Sequence, residues 1–313
     1  MCKSDPTPVY SPSGDPAIKN VSAQIEKDPK NHSLYYSRAK LYYDIGMYAP
    51  AIEDLNKAIS LDSTNADYHH LTADCYLEDG QSKKAIEALN RLLIQQPDRI
   101  PTLLKLSEYY LILKQYNDSF KTLDKVLKKD PTNAEAFFMM GMNLKESGDT
   151  TRAINAFQSA TENDPELVDA WINLGNLYAI KNSPKAMQFY DNAIRVDSSN
   201  TNSLYCKAYY LQSKKNYDEA LAAYQHIIDI DPHFNDAYFN SGIIYLQKDS
   251  LKKAYDNFNI ATKNDPQLTV AYYYRAQSLE LMGKKDEARK DYEQVLKMDP
   301  NFVRASAALN SLN

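Results

Sequence analysis

The sequence predicts an all-α fold, a solenoid of eight helix-turn-helix repeats with a capping helix at each end. The first observation is a period: Pro131 to Pro165, Pro232 to Pro266 and Pro266 to Pro300 are each 34 residues apart, and an aspartate precedes every one of these prolines. A fixed period of this length is typical of stacked helix pairs. The second observation is a small residue in each period, followed four residues later by a bulky one, which places both on one helical face.

The frame set by this period divides the chain into segments. The eight predicted repeats are 32–65, 66–99, 100–133, 134–167, 168–200, 201–234, 235–268 and 269–302. A half-repeat capping helix is predicted over 15–31 and a carboxy-terminal capping helix over 303–313, because terminal helices shield the ends of a stacked array. Two helices for each repeat and one for each cap predict 18 helices. Residues 1–14 are predicted to form a flexible tether.

The fifth repeat departs from the period by one residue. It carries Asn182, Ser183 and Pro184 where a glycine-containing turn is expected. We interpret the change as a deletion in an exposed turn, where length changes are tolerated. The alternative is an irregular bend of the superhelix at this repeat.

One repeat matches a known pattern closely. Its sequence resembles the W-x2-L-G-x2-Y…A-x3-F signature of the tetratricopeptide repeat (TPR) family. The resemblance implies a right-handed superhelix, in which the first helix of each repeat lines a concave groove that binds polypeptides. The residues that carry it are Trp171, Leu174, Gly175, Tyr178, Ala186 and Tyr190.

On this resemblance, positions two, five, nine and twelve of each first helix face the groove. The predicted partner-binding groove is apolar and aromatic, and its residues are Phe138, Met142, Ile172, Tyr205, Tyr209, Phe239, Ile243 and Tyr273. A second group forms a predicted acidic groove face, made of Asp67, Asp74, Glu78, Glu108 and Glu135. An exposed apolar strip marks a protein-binding site. The alternative is that the aromatic residues at position five only pack the repeats together.

The sequence predicts no enzyme, no cofactor and no metal. The glycines of the repeats belong to turns and helix crossings, so no phosphate-binding loop is expected. Asp67, His70, Asp74 and Glu78 follow one helical face and could offer ligands to a divalent cation, which leaves a metal-dependent hydrolase as a remote alternative. The preferred interpretation is a solvated acidic stripe.

Charge and composition bound the partners. The formal net charge of -5 argues against nucleic-acid binding, and the sequence gives no clear signal of a homo-oligomer. Near the amino terminus, Cys2 precedes a segment rich in proline, serine and glycine, which resembles the mature start of a bacterial lipoprotein with a lipidated cysteine and a polar leash. The interpretation is a lipid anchor to the outer membrane of a bacterial envelope. The alternative is a cytoplasmic location.

The predicted function is a non-enzymatic protein-protein interaction scaffold. It would bind a protein or peptide partner in the apolar groove, as part of a bacterial envelope assembly. A soluble cytoplasmic TPR adaptor is the alternative.

Overall fold

A computed structural model describes residues 15–312, and these residues form helices joined by short turns, with no strand among them. Eighteen helices follow one another along the described chain. Their bounds are α1 Pro16–Lys27, α2 His32–Asp44, α3 Tyr48–Leu61, α4 Ala66–Glu78, α5 Ser82–Gln95, α6 Ile100–Ile112, α7 Tyr116–Lys129, α8 Ala134–Glu146, α9 Thr150–Asn163, α10 Val168–Ile180, α11 Lys185–Val196, α12 Thr201–Ser213, α13 Tyr217–Ile230, α14 Asn235–Gln247, α15 Leu251–Asn264, α16 Thr269–Leu281, α17 Lys285–Met298 and α18 Val303–Ser311. The predicted all-α class and the predicted helix number are confirmed.

Local sequence signals set the starts of these helices. Asn31, Asn65, Asn133 and Asn200 precede first helices, and each side chain accepts a hydrogen bond from a backbone N–H of the first turn. Such caps satisfy N–H groups that have no partner inside the helix. All eight first helices begin at the residue where the period of the sequence places them, although the other four have no side-chain cap.

The helices divide into two compact units. Unit one ends at Asn163 and contains α1 to α9, and unit two begins at Asp164 and contains α10 to α18. Inside each unit, the two helices of a repeat pack against each other as a pair. A single superhelix running through both units stays a prediction.

Each pair closes around a small residue and a bulky one. In the fourth and fifth repeats the first helix contributes Gly141 and Gly175, and the second helix presses Phe157 and Tyr190 against them. A Cβ atom at position 175 would lie 2.4 Å from the ring of Tyr190, and one at position 141 would lie 2.6 Å from Phe157. Where these rings stand they leave no room for a Cβ atom, and they are among the most buried side chains of the described chain.

The short fifth repeat keeps its turn. Asn182 has a φ of 55°, in the left-handed region that Gly148 occupies with a φ of 88° in the preceding repeat. The Ser183 N–H still donates to the Tyr178 carbonyl. Helix α11 has 12 residues, whereas the second helices on either side have 14. The turn is not shortened: the missing residue falls in the first turn of α11, where Pro184 already has helical φ and ψ of -64° and -17°, and our interpretation of a deletion in the exposed turn is wrong.

The first and last repeats each contain an arginine clamp. Arg38 donates two hydrogen bonds of 2.7 Å to Asp54, and Arg275 donates two of 2.7 Å to Asp291. Each arginine also donates to a side chain of the preceding helix, Ser22 in the first case and Asn259 in the second. The clamps thus tie three helices together at two points of the chain.

Candidate functional site

Unit one has a cavity of about 490 Å³ between the first helices α6 and α8. Apolar side chains form most of its wall, and positions two, five, six and nine of both helices contribute to it. The lining residues are Pro101, Leu104, Lys105, Glu108, Leu111, Glu135, Phe138, Met139 and Met142. Four residues of the predicted groove surfaces, Glu108, Glu135, Phe138 and Met142, therefore lie around one cavity.

A charged group lies beside this cavity. The Nζ atom of Lys105 is 2.8 Å from Oδ1 of Asp74, and the Tyr109 hydroxyl donates a hydrogen bond to the same carboxylate. Burial, followed by this hydrogen bond to Asp74, raises the pKa of Tyr109, so the phenol stays protonated. Lys105 thus compensates the negative charge of Asp74 within the protein. Glu108 and Glu135 are exposed, and neither has an ion pair or a side-chain hydrogen bond within residues 15–312.

The residues of the metal hypothesis do not form a metal site. His70 Nε2 lies 2.9 Å from the Thr102 hydroxyl, and burial lowers the pKa of this imidazole, which favours its neutral form. Asp67 and Glu78 are exposed, and Asp74 is held by Lys105. Among residues 15–312, no group of three or more His, Cys, Asp or Glu is placed to hold a metal ion. The described part of the chain gives no support to the metal-dependent hydrolase.

Unit two has a second cavity, of about 390 Å³, between α10 and α12. Two side chains at its edge are strongly exposed for apolar residues: Ile180 at 78% and Tyr209 at 55%. Tyr209 stacks on Tyr205, with ring centroids 6.2 Å apart. The lining residues are Asn176, Ala179, Ile180, Tyr190, Tyr205, Cys206, Tyr209, Tyr210 and Ser213.

A donor-rich depression adjoins the unit-two cavity, since Tyr209 and Ser213 line both. It is lined by Tyr209, Gln212, Ser213, Lys215, Tyr217 and Gln247. The Gln212 oxygen accepts a hydrogen bond of 2.7 Å from the Tyr224 hydroxyl, which leaves its amide nitrogen as the group that can serve a ligand. Tyr209 therefore belongs to the wall of a mainly apolar cavity and of a polar one.

The remaining residues of the predicted groove pack against neighbouring side chains and are only partly exposed or buried. Phe239 meets Phe258 edge-on at 5.7 Å, and Tyr273 lies 5.2 Å from Phe302. Ile243 is half-buried, and Ile172 is only 4% exposed. Because the Ile172 side chain is buried, it offers little surface to a partner, and we remove it from the candidate site.

The sequence analysis missed Ile180. It occupies position thirteen of its first helix, a position outside the four that the family resemblance assigns to the groove. Other repeats carry Asp44, Glu78 or Gln247 there, so an isoleucine was a usable signal. The same position holds exposed Ile112 in the third repeat.

The predicted lipidation site, Cys2, lies outside the described residues. None of the described helices has the length and apolar character needed to span a membrane. The acyl anchor stays a prediction.

Family comparison identifies the fold. Models of the tetratricopeptide repeat match residues 138–201, 206–269 and 269–302, together about half of the chain. This chain belongs to the tetratricopeptide repeat family. A further model, described as anaphase-promoting complex, cyclosome, subunit 3, matches residues 44–126. The predicted TPR membership is confirmed.

Individual relatives are distant. The general transcriptional corepressor ssn6 of Schizosaccharomyces pombe is 25% identical over 56% of this chain and 17% of its own length. Human DnaJ homolog subfamily C member 7 is 24% identical over 62% of this chain and 42% of its own. The TPR chain described here thus matches less than half the length of either relative.

Solved structures show the same fold. The C-terminal part of a TPR repeat-containing protein from Cytophaga hutchinsonii gives a TM-score of 0.62, with 20% identity, 76% of this chain covered and 98% of that one. The APC/C hetero-tetramer Cut9-Hcn1 gives a TM-score of 0.55, with 17% identity, 94% of this chain covered and 58% of that one. At these identities the likeness extends to the TPR fold alone.

Proposed function

We propose that this protein is a non-enzymatic scaffold that binds a partner polypeptide on the first-helix faces of its repeats. The observation that carries the proposal is the surface around the unit-two cavity, where Ile180 and Tyr209 are exposed beside a wall of tyrosines. Membership of the TPR family supports protein binding as the general activity.

Physical chemistry favours an occupant for this surface. Exposed apolar area is costly in water, and burying a large side chain stabilises a complex by about 1.5–3 kcal/mol. A tyrosine at the edge of a cavity adds little entropic cost on binding, because only two side-chain torsions are fixed. Tyr209 is also held in place by its stacking on Tyr205. Such preorganised aromatic residues are typical of binding hot spots.

The test is capture of partners from native cells with wild-type and variant proteins. Ile180→Ala combined with Tyr209→Ala should reduce capture at least about tenfold, since central anchors contribute about 2 kcal/mol or more. Both side chains are exposed, so the helical circular dichroism spectrum should not change. The substitution Ile94→Ala is the matched control, because Ile94 is 79% exposed on the second helix α5 and lies in neither cavity.

Two outcomes would contradict this proposal. One is undiminished capture by the double variant. The other is an equal loss with Ile94→Ala, which would place the contact on the second helices. The aromatic residues Phe239 and Tyr273 are poor test positions, because their rings pack against the core and their removal would perturb the fold.

We also propose that the scaffold works at a bacterial envelope, held by a lipid on Cys2. The support is the sequence pattern of Cys2 and the polar segment that follows it. Several acyl chains bind a membrane firmly, at about 0.8 kcal/mol per buried CH2. In native cells, the wild type should sediment with membranes and Cys2→Ala should not. A soluble wild-type protein with an unmodified Cys2 would support the cytoplasmic adaptor instead.

A further inference from the structure

The unit-one cavity is lined by both apolar and acidic side chains. Leu104, Phe138 and Met142 supply apolar wall, while Glu108 and Glu135 line the same cavity as exposed carboxylates. Phenylalanine and methionine suit an apolar ligand side chain, because the thioether is polarizable and the methionine side chain adapts its shape. The cavity therefore offers two kinds of contact to one ligand.

The charges around this cavity are unbalanced. Lys105 is the one cation among the lining residues, and its ammonium group is already paired with Asp74 at 2.8 Å. Glu108 and Glu135 have no such partner within the described chain. With Lys105 committed, the charge that the cavity presents to a ligand is negative.

The neighbouring first helix also carries acidic side chains. The ion pair between Lys105 and Asp74 links α6 to α4, and α4 also carries the exposed carboxylates Asp67 and Glu78. Charges within a Debye length of about 8–10 Å add to the local potential at physiological salt. Exposed carboxylates therefore lie on both α4 and α6, the two first helices that this ion pair joins.

We infer that the unit-one cavity binds a cationic amphipathic segment of a partner protein. A bulky apolar side chain of that segment enters between Leu104, Phe138 and Met142. A lysine or arginine within one helical turn pairs with Glu108 or Glu135. This inference rests on the proposed scaffold function and adds the chemistry of one bound segment.

The apolar contact and the ion pair should affect different properties of binding. Apolar burial should supply most of the affinity, since exposed ion pairs contribute little individually. The carboxylates should steer the segment and select against acidic sequences, because complementary charge acts mainly on association rate and specificity. Binding should therefore weaken as salt concentration rises.

The experiment measures fluorescence anisotropy of two labelled helical peptides on the full chain. One peptide carries leucines along one face and lysines along the other, and its counterpart has glutamates in place of the lysines. The test variant is Glu108→Gln with Glu135→Gln. Its matched control is Glu53→Gln with Glu87→Gln, which changes the net charge equally at exposed carboxylates of the second helices α3 and α5.

The lysine peptide should bind the wild type, and the glutamate peptide should not. The test variant should weaken binding roughly two- to fivefold, the loss expected for one exposed ion pair. The control variant should change the dissociation constant by less than about twofold, because its carboxylates lie away from the cavity. Met142→Gln should weaken binding further, while leaving the helical spectrum unchanged.

Equal losses with both pairs of variants would overturn the inference, because they would show attraction to net charge alone. Binding of the glutamate peptide as tightly as the lysine peptide would also overturn it. If the lysine peptide fails to bind while partner capture still depends on Tyr209, only this inference is wrong. If partner capture does not depend on Tyr209 either, the proposed function is wrong too.

Discussion

Replacing Gly175 by alanine should destabilise unit two, although alanine is the better helix former. An ideal Cβ atom at this position lies 2.4 Å from Cε1 and 2.6 Å from Cδ1 of Tyr190. Ordinary carbon contacts are about 3.5–4.0 Å, so the ring must move by roughly 1 Å. Tyr190 is almost fully buried, so moving its ring disturbs the packing around it, although one side of the residue lines the unit-two cavity.

The size of the effect follows from three contributions. Overpacking of a core costs about 1–3 kcal/mol. Moving the ring also disturbs the hydrogen bond of 2.9 Å that the Tyr190 hydroxyl donates to Asn176, which contributes about 0.5–1.5 kcal/mol. The gain in helix propensity from glycine to alanine offsets about 1 kcal/mol. We expect a net loss of about 1–3 kcal/mol.

Urea unfolding, followed by circular dichroism and by hydrogen exchange of α10 and α11, measures this change. Because repeat arrays need not unfold in one step, the exchange data locate the loss. A second variant tests the cause: Gly175→Ala with Tyr190→Leu recreates the pair of Ala73 and Leu89, which packs in the second repeat. It should recover part of the stability. A more stable Gly175→Ala variant would refute the reasoning, since propensity alone would then decide.

Three further predictions follow from individual contacts. Arg275→Ala should cost about 3–5 kcal/mol in urea unfolding, because it leaves Asp291 buried without a partner, whereas Arg275→Met with Asp291→Leu should cost much less; equal costs would contradict this. Lys215→Gly should raise stability by about 0.5–1 kcal/mol, because Lys215 holds a φ of 61° that glycine adopts freely, and a loss would show that the lysine side chain contributes more than its backbone costs. Burial lowers the pKa of His70 in the folded state, so the unfolded chain binds a proton at a higher pH than the folded chain does. The free energy of unfolding should therefore fall as the pH drops from about 6.5 toward the lower pKa of the folded state. Unfolding of wild type and His70→Gln between about pH 7.5 and pH 5.5 measures it, and identical slopes would remove His70 as a cause.

Part of the candidate site could be predicted because its residues occupy equivalent positions in successive repeats. The period places Phe138 and Met142 on the same face as Glu108 and Glu135, and the structure brings all four to one cavity. Exposure could not be predicted in the same way. Ile172 occupies the same repeat position as Phe138 but is enclosed, because burial depends on the neighbouring helices as well as on helical phase.

The sequence by itself determined the all-α class, the helix starts and the family. These features depend on local signals: Asp-Pro stops and small residues at helix crossings follow the 34-residue period, and asparagine caps precede half of the first helices. Only the tertiary structure decided the division into two units, the pairing of Lys105 with Asp74, the shortening of α11 and the exposure of Ile180 beside Tyr209. The physical reason is range: a cap or a turn is made by residues close in the chain, whereas an ion pair or a cavity joins residues about one repeat apart, whose distance no local pattern fixes.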